Sequence, residues 1–348
     1  MKNIDYQLLQ QRYLEYAENQ SELEIDIMEK FGAFLPDEII DAHTHYNDFK
    51  FLLDVPPTLS AHLVSSFLGF NIGDSDKFNA LLYPEKKVHC LRIPLPFQGI
   101  NLKSVNDHLL SVSYSEHRVA VAGIPTDLVY TLDVLKNGNV SALKMYHWYS
   151  HPPYKEIYDF FSPEILEVTQ SGNVPIILHL PGTLAKCEEC LVRLLLDFPR
   201  QRVVVAHMGV SATSTLDDLE IYRKLSRYEN LFMDTSMVID PMVLTQIFKR
   251  FPLQRIMYGT DLPLSLVRGQ AYRHPEFGLR IFSSYPYHWI NPREVDEQGV
   301  ELCGVSPMLI HWQALLSLEN AIRVVAKKQQ EKVKEMIFFN TAKEVYSF

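Results

Sequence analysis

The stretch DAHTHYNDF (residues 41–49) sets two imidazoles two residues apart, just after the apolar run Glu38-Ile39-Ile40. Side chains of a strand alternate between faces with a period of two, so His43 and His45 share one face and Thr44 takes the other. Two histidines on one face of a strand end can chelate one metal ion. The spacing also arises by chance, so ligands arriving from elsewhere in the chain decide the matter. Three more candidates follow: His179 in IILHLP, His207 in VVVAHMG and Asp261 in YGTDLP. Each closes a β-rich run and precedes turn chemistry, at Pro181-Gly182, Gly209 and Pro263. Neutral imidazoles with one carboxylate suit Zn²⁺ and its first-row neighbours rather than Ca²⁺ or Mg²⁺. Taken alone, His179 reads as a hydrogen-bonded core residue and Asp261 as a helix N-cap. A shared metal explains all five together.

Such groups meet only if the fold gathers their strand ends. Short β-rich runs recur at 38–43, 87–93, 118–124, 141–146, 174–179, 202–207, 231–236 and 255–261. Most are separated by stretches of helical periodicity such as TLAKCEECLVRLLLDF. Strands alternating with helices imply parallel pairing through right-handed crossovers. Eight such units predict a closed (β/α)8 TIM barrel, whose carboxyl strand ends converge on one rim. No Gly-x-Gly-x-x-Gly follows the first run, which weakens a dinucleotide-binding alternative. Residues 1–35 read as an N-terminal helical extension, and 36–348 as the barrel. Two connections, from about Tyr46 to Glu85 and from Leu262 to about Ser306, are too long for simple barrel loops. These long insertions after strands 1 and 8 leave the active rim and read as functional lids.

The 348 residues are 47% hydrophobic and 22% charged, ample for a large core. A net charge of −9 argues against nucleic acid or an anionic membrane surface as partner. Four cysteines in a chain of this length suggest a reducing compartment. The first twenty residues are polar, without a signal-peptide apolar centre, and no apolar run approaches the ~18 residues of a spanning helix. The expectation is a soluble cytoplasmic protein acting on a small molecule.

The order Asp-x-His-x-His, His, His, Asp on strands 1, 5, 6 and 8 resembles the amidohydrolase superfamily of metal-dependent barrels. The nearest branch is the amidohydrolase-related group of hydrolases, lactonases and carboxylic-acid decarboxylases. The closing MIFFNTAKEVYSF is similar to that branch's C-terminal signature, in which an Asn-containing turn leads into the last helix. The resemblance runs from about residue 37 to the end. It implies His43, His45, His179 and Asp261 as metal ligands, with His207 bonding the metal's water or the substrate, or binding a second metal. Barrels of that branch are often homodimers, and no residue pattern here bears on it.

A divalent ion so held, most simply zinc with manganese as the other option, lowers the pKa of a bound water toward ~7. Asp261 would take the water's proton and pass it to the leaving group, and His207 would steady the developing oxyanion. These parts suit hydrolysis of an amide, ester or lactone of a small, carboxylate-bearing substrate. They also suit nonoxidative decarboxylation of an aromatic or unsaturated acid. Two-metal members of the superfamily bridge their ions with a carboxylated lysine on strand 4, where Lys144 stands. The expectation is one ion, with Lys144 an outward lysine snorkelling to solvent. Arg92, on strand 2, is a candidate for a two-pronged pair with a substrate carboxylate. His147, Trp148 and His151 follow strand 4 and are candidates to line the pocket. Asp41 and Asp234 read as support behind the ligands. Cys187 and Cys190 read as packing residues, since no second cysteine pair completes a zinc site.

Overall fold

The computed structural model describes residues 4–55, 63–112, 116–146, 155–210, 219–274, 278–283, 287–288 and 307–348. Eight strands pair in chain order, every neighbour parallel. They are β1 (Glu38–Tyr46), β2 (Lys87–Pro94), β3 (Arg118–Ala122), β4 (Ala142–Tyr146), β5 (Ile176–His179), β6 (Val203–Val205), β7 (Leu231–Asp234) and β8 (Ile256–Met257). Runs such as Val203-Val204-Val205 are wholly buried, as parallel strands covered by helices must be. The ring closes through the backbone beyond β8. Ala42 N–H donates to Tyr258 O at 2.9 Å, Asp261 N–H to His43 O at 2.8 Å and His45 N–H to Leu262 O at 2.6 Å. The architecture is the (β/α)8 barrel that the strand rhythm predicts.

Two strands stop earlier than their apolar runs. β6 ends at Val205, and the chain turns through three left-handed residues, His207 (φ 54°), Met208 (φ 54°) and Gly209 (φ 66°). β8 keeps two residues in its ladder with β7, after which Asp261 takes φ 63°. Apolar composition continues past both ladders, so a sequence pattern overshoots them. β1 carries a bulge, because Asp41 opposes Cys90 while Thr44 opposes Arg92.

The insertion after β1 contains short 3-10 turns at Phe49–Phe51 and Leu63–Phe67 before the helix Ile72–Leu82. The insertion after β8 is not an aperiodic loop. It forms β9 (Arg268–His274), β10 (Gly278–Phe282) and β11 (Met308–Leu309), an antiparallel sheet in the order β10–β9–β11. RGQAYRH lacks the apolar alternation that announces a strand, so the sheet was invisible to pattern.

Two helices precede the barrel, α1 (Tyr6–Glu18) and α2 (Glu22–Phe34). Ser21 and Glu24 form a reciprocal capping box that starts α2. Glu24 is fully buried, pairs with Arg268 and accepts the N–H of Leu309 at 2.8 Å. Gln10 accepts the N–H of Gly69 at 2.8 Å. The two helices thus bond to both insertions. At the other end a π-helical turn, Met336–Asn340, leads into the helix Thr341–Tyr346. Ile337 O accepts the N–H of Tyr258 at 2.8 Å, docking that turn beside β8. Among the described residues no helix is long and apolar enough to cross a membrane.

Candidate metal centre

β1 delivers His43 and His45 with their Nε2 atoms 3.2 Å apart, so both rings face one point. Asp261, carried there by the turn after β8, puts Oδ1 3.0 Å from His45 Nε2 and 3.5 Å from His43 Nε2. That oxygen is buried and has no hydrogen-bond partner among the described residues. His207 arrives from the left-handed turn after β6, its ring centroid 4.9 Å from that of His43. His179, at the end of β5, stands edge-on to His207 with centroids 5.1 Å apart. His43, His45, His207 and Asp261 thus meet at one locus, and His179 stands beside His207.

Hydrogen bonds on the far side of each ring orient the near nitrogens. Asp234 Oδ2 accepts His43 Nδ1–H at 3.0 Å, which leaves the Nε2 lone pair inward. Asp234 Oδ1 accepts the backbone N–H groups of His207 at 3.0 Å and Ser236 at 3.1 Å, and the Ser236 hydroxyl as well. His207 Nδ1 lies 3.1 Å from Ser236 O, an acceptor that assigns the proton to Nδ1 and frees Nε2. Tyr146 donates its hydroxyl to Pro94 O at 3.2 Å and lies 3.1 Å from His45 Nδ1, giving His45 the same tautomer. Ser236 and Tyr146 were not anticipated. The signal was a period-two partner on the same strand face, Tyr146 two after Lys144 and Ser236 two after Asp234.

Burial first, then the nearby charge of Lys144, lowers His43 to about 3. Burial likewise lowers His45. Both rings are therefore neutral, the form that binds metal. Burial works against ionisation of Asp234 and Asp261. Against that burial, the contact with His43, then the proximity of His207 and Lys144, holds Asp234 well below the usual carboxylate range. His207, His45 and His43 do the same for Asp261. Asp41 differs. Burial raises it to about 7, although it accepts the N–H of His43 at 3.1 Å, the N–H of Thr260 at 3.0 Å and the Thr260 hydroxyl at 2.5 Å. It braces the backbones of β1 and the β8 turn rather than an imidazole ring.

The donor set fits a first-row divalent ion. One ligand atom each from His43, His207 and Asp261 all lie within 4.8 Å of one another. With bonds of 2.0–2.2 Å, the edge of a coordination tetrahedron is about 3.3–3.6 Å. The separations of 3.0, 3.2 and 3.5 Å among Asp261 Oδ1, His45 Nε2 and His43 Nε2 lie at or just below that length.

Lys144 corrects an expectation. It is not an outward lysine but fully buried, its Nζ 3.1 Å from His43 Nε2 and 5.2 Å from the centre of the Tyr146 ring. Burial lowers it to about 8. Arg92 is buried with partners of its own: Asp76 at 3.8 Å, Val112 O at 3.4 Å and the ring of Tyr46. Asp76 and Val112 belong to the helical layer and Tyr46 to β1, and no contact joins Arg92 to the histidine cluster among the described residues. His147, Trp148 and His151 lie outside the described residues. Cys187 is buried and Cys190 half-buried, and both are free thiols.

The family model described as Amidohydrolase matches residues 144–348. No curated protein matches the chain. An amidohydrolase from Burkholderia multivorans solved with bound zinc is similar with TM-score 0.57 and 11% identity, over 89% of this chain and 99% of that one. A probable 2-pyrone-4,6-dicarboxylic acid hydrolase from Acinetobacter baumannii, with citric acid bound, gives 0.53 and 14%, over 89% and 99%. A 2,6-dihydroxybenzoate decarboxylase, solved with 2,6-dihydroxybenzoate, gives 0.53 and 12%, over 90% and 100%. At such identities the likeness is one of fold. Because the family model spans more than half of the sequence, the chain belongs to the amidohydrolase family.

Proposed function

We propose that this protein is a metal-dependent hydrolase of a small, carboxylate-bearing amide, ester or lactone. One divalent ion, zinc or manganese, is held by His43, His45, His179 and Asp261, with His207 beside it. The carrying observation is Asp261 Oδ1, a buried carboxylate oxygen without a hydrogen-bond partner among the described residues, facing two imidazole nitrogens. Such an atom has a reason to exist if a cation completes its surroundings.

When bound, the ion supplies an acidified water and a Lewis acid for the scissile carbonyl. Asp261, held ionised by its imidazole neighbours, accepts a proton from the attacking water and returns it to the leaving group. His207 keeps its Nδ1 proton on Ser236 O, so its Nε2 lone pair accepts a hydrogen bond from the attacking water and orients it. Asp234 fixes His43 and the His207 backbone together, so ligand and orienting residue move as one unit.

The test is elemental analysis of protein purified without chelators, followed by a panel of lactones, N-acyl amides and aromatic acids. Acid release and CO₂ are scored separately. The reading expects about one ion per chain and acid release without CO₂. CO₂ from an aromatic acid would instead make the protein a nonoxidative decarboxylase using the same five groups.

A further inference from the structure

A cavity of about 260 Å³ opens beside the centre, with His179 and His207 at its inner end. Its wall comes from the turns after β5 and β6. Of the described residues lining it, Lys186 is the single cation, and none is a carboxylate. A second cleft of about 310 Å³ shares Pro181 and Lys186 with the first and has Glu156 and Glu189 in its lining. There Arg193 is paired with Glu156 at 3.3 Å. Lys186 has no carboxylate partner among the described residues, and no unprinted contact accounts for it.

A surface lysine without a partner is ordinary, but this one is positioned. Its backbone N–H donates to Thr183 Oγ1 at 3.3 Å, and Leu184 N–H donates to Gly209 O at 3.3 Å, which ties the β5 turn to the β6 turn. The lysine stem lies along Gly182, its Cβ and Cδ each 3.6 Å from where a Cβ at that glycine would stand. Lys186 thus stands at the wall of a cavity that also holds His179 and His207, with no carboxylate among the described residues lining it.

We propose that Lys186 is the specificity-determining residue of this site. It binds a carboxylate of a small substrate whose reacting acyl group lies at the centre. This inference rests on the metal-dependent reading above and names where the substrate's carboxylate goes. A ligand with two anionic or carbonyl ends is thereby favoured over one with a single end.

Isophthalate and benzoate test it, since neither is turned over by hydrolysis and they differ by one carboxylate. Each is titrated calorimetrically into zinc-loaded wild type, Lys186→Met and Lys186→Arg, with zinc content measured on every sample. Wild type is expected to prefer isophthalate. Lys186→Met should weaken isophthalate by about tenfold and leave benzoate within about twofold, the loss of one charged hydrogen bond in a partly wet site. Lys186→Arg, which keeps the charge, should recover most of the difference. Equal binding of isophthalate by wild type and Lys186→Met, equal loss on both ligands, or no isophthalate binding by wild type would overturn the proposal. Protein that holds no zinc yet retains Lys186-dependent isophthalate binding would sink the metal reading and leave the carboxylate subsite standing.

Discussion

His43 and Asp234 meet at 3.0 Å, ring N–H to carboxylate, and neither side chain has contact with solvent. The second oxygen of the same carboxylate receives the backbone of His207, so one residue on β7 positions two strand ends. Replacing the carboxylate with an amide keeps the shape but loses the charge and lets an NH₂ group face Nδ1, which favours the wrong tautomer. Asp234→Asn is expected to lower zinc affinity by roughly 10–100-fold, the usual cost of losing a carboxylate behind a ligating imidazole. Competition against a chromophoric chelator measures it. Unchanged affinity would mean that His43 is not a ligand through Nε2.

The two histidines that Asp234 holds, His43 by its ring and His207 by its backbone, carry different proposed roles. His43→Ala should abolish metal retention. His207→Ala should keep near-full metal content while kcat falls by roughly 10²–10³, as for loss of a group that positions the attacking water for proton transfer. Metal analysis of both purified variants separates the roles. Should His207→Ala lose metal as completely as His43→Ala, His207 belongs among the ligands, in keeping with its inclusion in the 4.8 Å cluster.

Lys144 gives the centre a pH signature in metal-stripped protein. Its ammonium is lowered by burial from 10.5 to about 8. Between those values the unfolded chain holds a proton that the folded protein has shed, so stability rises with pH across that window. Below about 8 the buried charge exerts its full penalty. Lys144→Met should flatten the rise and exceed wild type in stability at neutral pH by up to roughly 3 kcal/mol. Urea denaturation of both proteins at pH 7 and at about 10 reads this out. Parallel pH slopes would show that the ammonium is solvated.

The barrel was legible, and so was the meeting of His43, His45, His207 and Asp261 at its rim, because each carries a local signal. β-rich runs alternate with helical periods, and each candidate ligand closes a run beside a turn former. The bulge between Asp41 and Thr44 was not legible, since nothing in DAHT distinguishes it from regular alternation. It moves the Asp41 carboxylate onto backbone donors instead of leaving it beneath His43. Lys144 was misjudged because its position in a five-residue strand does not reveal which face meets the lumen, and solvent is the commoner home of an ammonium. Lys186 carries no sequence signal, because its proposed role comes from a cavity that two separate turns build, with no carboxylate among the described residues lining it.

The ion pair of Glu24 and Arg268 extends the same reasoning to the first two helices. Both side chains are buried, and Glu24 also holds the N–H of Leu309 while Arg268 donates to the carbonyl of Asn19 at 3.0 Å. The pair therefore fastens the start of α2 to β9 and β11 of the insertion that follows β8. Removing one partner leaves an uncompensated buried charge, which costs about 3–5 kcal/mol, whereas replacing both with apolar groups is often neutral. Glu24→Leu and Arg268→Met are each expected to destabilise by that amount in urea unfolding, and the double variant to recover most of the loss. Because the capping box at Ser21 disappears with Glu24, about 1 kcal/mol should remain unrecovered in the double variant. Additive losses would mean that the two charges are solvated independently and that the extension is fastened by its apolar contacts instead.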